Sequence, residues 1–180
     1  MKIGPEGLLA GARYVASPNC DERPPGCEVT LLVVHSISLP PGEYGGDGIE
    51  RLFTNRLDAQ AHPYFAEIFS LKVSAHFLVR RNGEIVQFVP VQRRAWHAGA
   101  SSWRGRSACN DFSIGVELEG SDDAPFEDAQ YRSLSILISS LRSALPLRGL
   151  AAHSEVALGR KTDPGAHFDW ARVLSDLAHA

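Results

Sequence analysis

Residues 29–36 read VTLLVVHS. The run is apolar up to His35 and rich in β-branched side chains, so it has no face to offer to water. A strand of this kind is buried on both sides, which places it inside a sheet covered by other elements. The segments around it supply that cover. "IERLFTNRL" puts Ile49, Leu52 and Phe53 at helical spacing, and "HPYFAEIFS" adds another turn or two of helix. "EDAQYRSLSILISSLRSALP" predicts an amphipathic helix with a stripe of Tyr131, Leu134, Leu137 or Ile138, Leu141 and Leu145, and Glu127 and Asp128 suit its positive end. "FDWARVLSDLAHA" predicts a closing helix with Trp170, Val173, Leu174 and Leu177 on one face. "GLAAH" reads as a short strand ending at His153. "FSIGVELEG" alternates, with Phe112, Ile114, Val116 and Leu118 on one side and Ser113, Gly115, Glu117 and Glu119 on the other. "SAHFLVRRNGEIVQFVP" predicts a hairpin, and its Asn82-Gly83 pair suits a type I′ turn. Strands and helices intermix, so the fold class is α/β: a central mixed β-sheet flanked by α-helices.

The chain has 180 residues, which suits one domain. Residues 1–28, rich in Gly, Pro and charge, are expected to form an arm packed on a single unit spanning 29–180. A net charge of −3 gives no bulk attraction to nucleic acid or to an anionic membrane. No stretch is long and apolar enough to span a bilayer. Pro5, Glu6 and Arg13 interrupt any apolar run near the start, so no signal peptide is read there. Cys20, Cys27 and Cys109 make an odd count. Together these features predict a cytoplasmic protein without a disulfide framework and without an obligate protein partner.

Two of the seven histidines stand out by position. His35 and His153 each end an apolar strand, where α/β folds place their ligands. Two histidines plus one carboxylate form a common catalytic zinc set, with the fourth position left to water. Asp163 follows His153 in a loop bent by Gly159, Pro164 and Gly165. Glu117 sits on the polar side of an otherwise apolar strand. It is either a solvated carboxylate on a wet sheet face or a general base whose burial raises its pKa, and Glu119 qualifies equally on face geometry. Lys161 can aim a positive charge at an oxyanion. Arg80, Arg93, Arg104 and Arg106 are candidate contacts for an anionic substrate, and Trp96 and Trp103 are candidate apolar walls. No G-x-S-x-G elbow, Walker A or G-x-G-x-x-G motif is present.

The segments "HSISLPPGEYGG", "HPYFAEI", "VSAHFLVRRNGEIVQFVP", "RAWHAG", "CNDFSIGVELEG", "DAQY" and "GRKTDPGAHFDW" occur in order over nearly the whole chain. In these blocks the sequence resembles the AmpD family of zinc amidases, which shares its fold with peptidoglycan-recognition proteins and phage-type amidase lysozymes. The resemblance implies that His35, His153 and Asp163 hold Zn²⁺, that Glu117 rather than Glu119 stands beside the metal-bound water, and that Lys161 lies near the carbonyl oxygen. Ser36, Lys72, Trp96, His97 and Arg106 are the candidate substrate contacts. The implied reaction is hydrolysis of the amide between the lactyl group of 1,6-anhydro-N-acetylmuramic acid and L-alanine, in a small soluble muropeptide. An amidase acting on intact envelope peptidoglycan and a non-catalytic peptidoglycan-binding module are the rival readings. The chain departs from the family pattern at Ser36, Lys72, Ala108, Ala152, Ser154 and Glu155.

Overall fold

The computed structural model describes residues 1–178, with side chains through Asp176. His179 therefore lies outside the described residues, as does the packing of Leu177. The strands are β1 (Arg13–Tyr14), β2 (Cys20–Asp21), β3 (Leu31–Ile37), β4 (Phe77–Val79), β5 (Ile85–Gln87), β6 (Arg94–Ala95), β7 (Ser102–Trp103), β8 (Arg106–Ser107), β9 (Ser113–Glu119) and β10 (Gly149–Ala152). The helices are α1 (Gly48–Phe53), α2 (Pro63–Ile68), α3 (Asp128–Ala144), α4 (His153–Val156) and α5 (Trp170–Ala178). Six strands form the main sheet in the order β1-β5-β4-β9-β3-β10. β4, β9, β3 and β10 run parallel, while β5 is antiparallel to β4 and β1 follows β5. The sheet is mixed, as the pattern of elements predicts.

β3 lies between β9 and β10, and Leu31, Leu32, Val33 and Val34 are fully buried. One face of the sheet carries Leu32, Val34, Phe77, Val79, Ile114, Val116 and Leu118. It packs on Tyr131, Leu134, Leu137, Ile138 and Leu141 of α3 and on Val173 of α5. Burying each such aliphatic side chain contributes about 1.5–3 kcal/mol. The start of α3 is fixed by a capping box in which the Glu127 N–H donates to Gln130 Oε1 at 3.0 Å. Leu174, expected on the buried side of α5, is 55% exposed. Phe168, Trp170 and Val173 make the packing there, and the step of one residue from Val173 turns Leu174 outward.

The other face is apolar in two patches. Leu78, Val86 and Phe88 pack on Ile49, Leu52 and Phe53 of α1 and Phe65 of α2. Leu31, Val33 and Ala151 pack on Cys109, Phe112 and Val156. On this same face β3 and β9 also present His35, Ser113, Gly115 and Glu117. Every residue of β9 is buried, so a wet sheet face for Glu117 and Glu119 is excluded.

The hairpin joining β4 and β5 forms, but its turn differs from the expected type I′. Gly83 has φ +87°, whereas Asn82 is not among the residues with positive φ. The Gly83 N–H donates to the Arg80 carbonyl at 2.8 Å, and the Arg80 N–H donates to Glu84 at 2.9 Å. This is a three-residue loop, a type I turn closed by a left-handed glycine, which needs positive φ at one position only.

The first 28 residues engage the sheet directly. β1 pairs with β5, and β2 pairs with β6. Arg23 then donates to the carbonyls of Asp111 at 2.8 Å, Ser113 at 2.9 Å and Asn110 at 3.0 Å. Among the described residues, no helix is long and apolar enough to cross a membrane.

Candidate metal centre

The register of three parallel strands assembles the site. β3 pairs with β9 so that His35 lies beside Glu117. β10 pairs with β3 through Ala152 and Val34, so the next residue, His153, comes up beside His35. His153 opens α4, a single turn held by Glu155, whose Oε2 accepts the Ala152 N–H at 2.6 Å. The chain then turns back through Gly159 (φ +70°) and Gly165 (φ +83°). The Ser154 N–H donates to the Asp163 carbonyl at 3.0 Å and brings that side chain against the histidines.

His35 Nδ1 and His153 Nδ1 are 2.9 Å apart. Asp163 Oδ2 is 3.0 Å from His153 Nδ1 and 3.3 Å from His35 Nδ1. Three potential ligand atoms thus converge on one point, where a cation can bind all of them. Donor atoms around a tetrahedral zinc stand about 3.3 Å apart, close to these separations. Burial lowers the pKa of His35 to about 4, which keeps it neutral, as a metal ligand must be. Burial alone would raise the Asp163 carboxyl, but its contacts with His153 and His35 outweigh it and hold the group well below the usual range. These three side chains can hold a metal ion.

Glu117 Oε1 is 3.9 Å from His35 Nδ1, and Glu117 Oε2 is buried without a hydrogen-bond partner. Burial, reinforced by the negative charge of Asp163 and opposed by Lys161, pushes its pKa well above the usual carboxylate range. Lys161 is exposed at the rim, and its charge acts on both Glu117 and His35. A proton acceptor and a cation therefore flank the convergent trio.

The remaining expected site residues are placed differently. His97 is packed behind His35, with its ring nitrogens 2.9 Å from His35 Nε2 and 3.2 Å from Ser113 Oγ. Ser36 projects to the opposite face of β3 and donates to Asp122 Oδ1 at 2.9 Å, and Asp122 also accepts from Thr162. Lys72 is exposed. The Trp96 side chain lies near Asp21 and helps to lower its pKa. Arg106 lies over the Phe112 ring at 3.9 Å and donates to Cys27 Sγ at 2.9 Å. Of the other arginines, Arg80 is buried in an ion-pair network with Glu50 and Glu119, so it is a framework residue rather than a surface contact. Two supports escape sequence reasoning. Arg160 donates to the carbonyls of Ala98 and Ala100 at 2.6 and 2.9 Å, tying the Asp163 loop to the His97 segment. Asp122 staples the same loop to β3. No local spacing links these pairs, since 60 or more residues separate Arg160 from its acceptors.

Residues 25–166 match the N-acetylmuramoyl-L-alanine amidase family. The chain is 56% identical over 169 residues to the 1,6-anhydro-N-acetylmuramyl-L-alanine amidase AmpD of Escherichia coli K12, covering 93% of this chain and 92% of that protein. It belongs to the AmpD family. A crystal structure of an AmpD selenomethionine derivative superposes with a TM-score of 0.96 at 54% identity, over 98% of this chain and 99% of that one. The E. coli amidase AmiD, solved with the substrate anhydro-N-acetylmuramic acid-L-Ala-D-γ-Glu-L-Lys, matches with a TM-score of 0.60 at 30% identity, over 97% of this chain and 65% of that one. The family match spans His35, His153 and Asp163.

Proposed function

We propose that this AmpD family member is a cytoplasmic zinc amidase that releases the peptide from soluble 1,6-anhydro-N-acetylmuramyl peptides by cutting the lactyl–L-alanine amide. The observation that carries the reading is the convergence of His35, His153 and Asp163 beside a buried Glu117 whose Oε2 has no hydrogen-bond partner. The substrate follows from the AmpD relatives and from the ligand named for AmiD. The three free cysteines, Cys20, Cys27 and Cys109, suit a reducing compartment.

Zn²⁺ held by the three ligands would supply Lewis-acid polarisation and a lowered water pKa at neutral pH. Glu117 accepts a proton from the attacking water, because its buried carboxyl has no hydrogen bond holding Oε2 and burial favours its protonated form. The same carboxyl then delivers the proton to the departing alanine nitrogen. Lys161 places its charge toward the oxygen that becomes negative as the carbonyl is attacked. His153 and Asp163 are held by the α4 turn and its return loop, and His35 by the strand, so the three need little rearrangement to bind.

The test is mass spectrometry of digests of a soluble anhydromuropeptide and of whole sacculi by the zinc-loaded protein. Release of free peptide from the soluble substrate, with little from sacculi, is the expected result. Preferential release from sacculi would overturn the substrate assignment.

A further inference from the structure

Behind His35, on the side away from the metal-facing nitrogen, a line of hydrogen bonds runs into the sheet. His35 Nε2 is 2.9 Å from His97 Nδ1, His97 Nε2 is 3.2 Å from Ser113 Oγ, and Ser113 Oγ is 2.6 Å from the Cys109 carbonyl oxygen. The direction of each bond follows from the far end. A carbonyl oxygen only accepts, so Ser113 spends its single proton on Cys109. Its oxygen can then only accept from His97, which places the His97 proton on Nε2. A neutral imidazole has one N–H, so His97 Nδ1 is a lone pair and must receive a proton from His35 Nε2. His35 is then left with a bare Nδ1, the atom that faces His153 and Asp163.

The ring of His97 is held for this purpose from two further sides. A Cβ added at Gly115 would fall 2.4 Å from His97 Cγ, so the imidazole lies flat on bare strand backbone. Asn110 Oδ1 accepts the backbone N–H groups of His97 and Ala98 at 3.2 and 2.9 Å. Ser113, Gly115 and Glu117 share one face of β9, which therefore orients the histidine, seats it and supplies the base.

We infer that His97 and Ser113 are positioning residues that lock His35 in its Nε2–H tautomer and present its Nδ1 to the metal. The inference rests on the zinc reading proposed above. A hydrogen bond to the remote nitrogen of a metal-bound histidine typically tunes affinity about 10- to 100-fold.

The test combines ¹⁵N spectra of the histidine rings with zinc affinity measured by competition with a chelator. In the wild-type protein, His35 is expected to carry its proton on Nε2 both before and after zinc is added. His97→Leu is expected to bind zinc about 10- to 100-fold more weakly and to lose the His35 Nε2–H hydrogen-bond signature. His97→Gln, whose amide can accept from His35 and donate to Ser113, is expected to recover most of that loss. Ser113→Ala frees the His97 tautomer, so its spectrum should show proton density on both His97 nitrogens. A His35 proton on Nδ1 in the zinc-free wild type would overturn the inference, and this arm needs no variant to fold. Equal zinc affinity in wild type, His97→Leu and His97→Gln would overturn it as well. If instead zinc leaves the wild-type His35 resonances unmoved, the metal assignment itself fails, and the two failures are told apart.

Discussion

Glu117 and Glu119 stand two residues apart on one face of β9, both buried, yet their surroundings differ completely. Glu119 is saturated. Its Oε1 accepts from the Gly45 N–H at 2.7 Å and Arg80 at 2.9 Å, and its Oε2 accepts from the Arg81 N–H at 3.1 Å. Arg80 in turn pairs with Glu50, which also binds Arg13. Glu117 has no such partners, and the charges that act on it are those of Asp163 and Lys161. One carboxylate ties the turn after β4 to the loop before α1. The other is kept short of hydrogen bonds, and that lack of partners fits it to take up a proton. Residue type and strand face are the same, so the assignment of roles comes from the elements brought in from elsewhere.

The comparison breaks first at Glu117→Gln. Its amidase turnover is expected to fall about 100- to 10,000-fold while zinc content stays at the wild-type level. A variant with near wild-type turnover would show that the buried carboxylate is not the base. Glu119→Gln should do the reverse, costing about 3 kcal/mol in chemical denaturation because it leaves Arg80 underpaired. The fraction that remains folded should hydrolyse substrate normally, and a specific activity reduced as far as that of Glu117→Gln would erase the distinction.

Smaller effects separate the two regions by pH. Glu50, in the Glu119 network, has its pKa lowered from 4.5 to about 2, first by the hydrogen bond from Arg13. Its stabilising contribution is therefore complete above about pH 4.5 and is lost as pH falls toward about 2. Glu117 has the opposite sign. Its raised pKa means that the metal-free protein is penalised increasingly as pH rises above 4.5. Denaturation of the zinc-free protein should thus find Glu117→Gln more stable than wild type at neutral pH, with the difference vanishing in acid. Glu50→Gln should be less stable at neutral pH and flatten the acid limb. Parallel pH profiles for the two variants would contradict the contrast.

Much of the frame is legible in the sequence because local pattern dictates it. The unbroken apolar run of β3 and the 3.6-residue stripe of α3 each report their own burial. The end of the apolar run points to His35, although β3 continues to Ile37, the end of β10 points to His153, and the bends at Gly159 and Gly165 allow Asp163 to return. The difference between Glu117 and Glu119 is not legible from spacing, since Gly45, Arg80 and Arg81 reach Glu119 from other loops. The turn at Asn82-Gly83 misleads because the same dipeptide serves a three-residue loop. Leu174 misleads because an apolar side chain on a terminal helix need not face the core. Ser113 and Gly115 are small residues in line with Glu117, and only the seating of His97 gives them a role.

The central claim is that His35, His153 and Asp163 share one zinc ion. The direct measurement is a titration of the metal-free protein with Zn²⁺, followed by ¹⁵N shifts of its histidine rings. The account predicts that one equivalent moves Nδ1 of His35 and His153 together, and that Asp163→Asn shifts the midpoint to higher zinc. Zinc that moves the Nε2 atoms, engages other histidines first, or binds Asp163→Asn as tightly as wild type would contradict it.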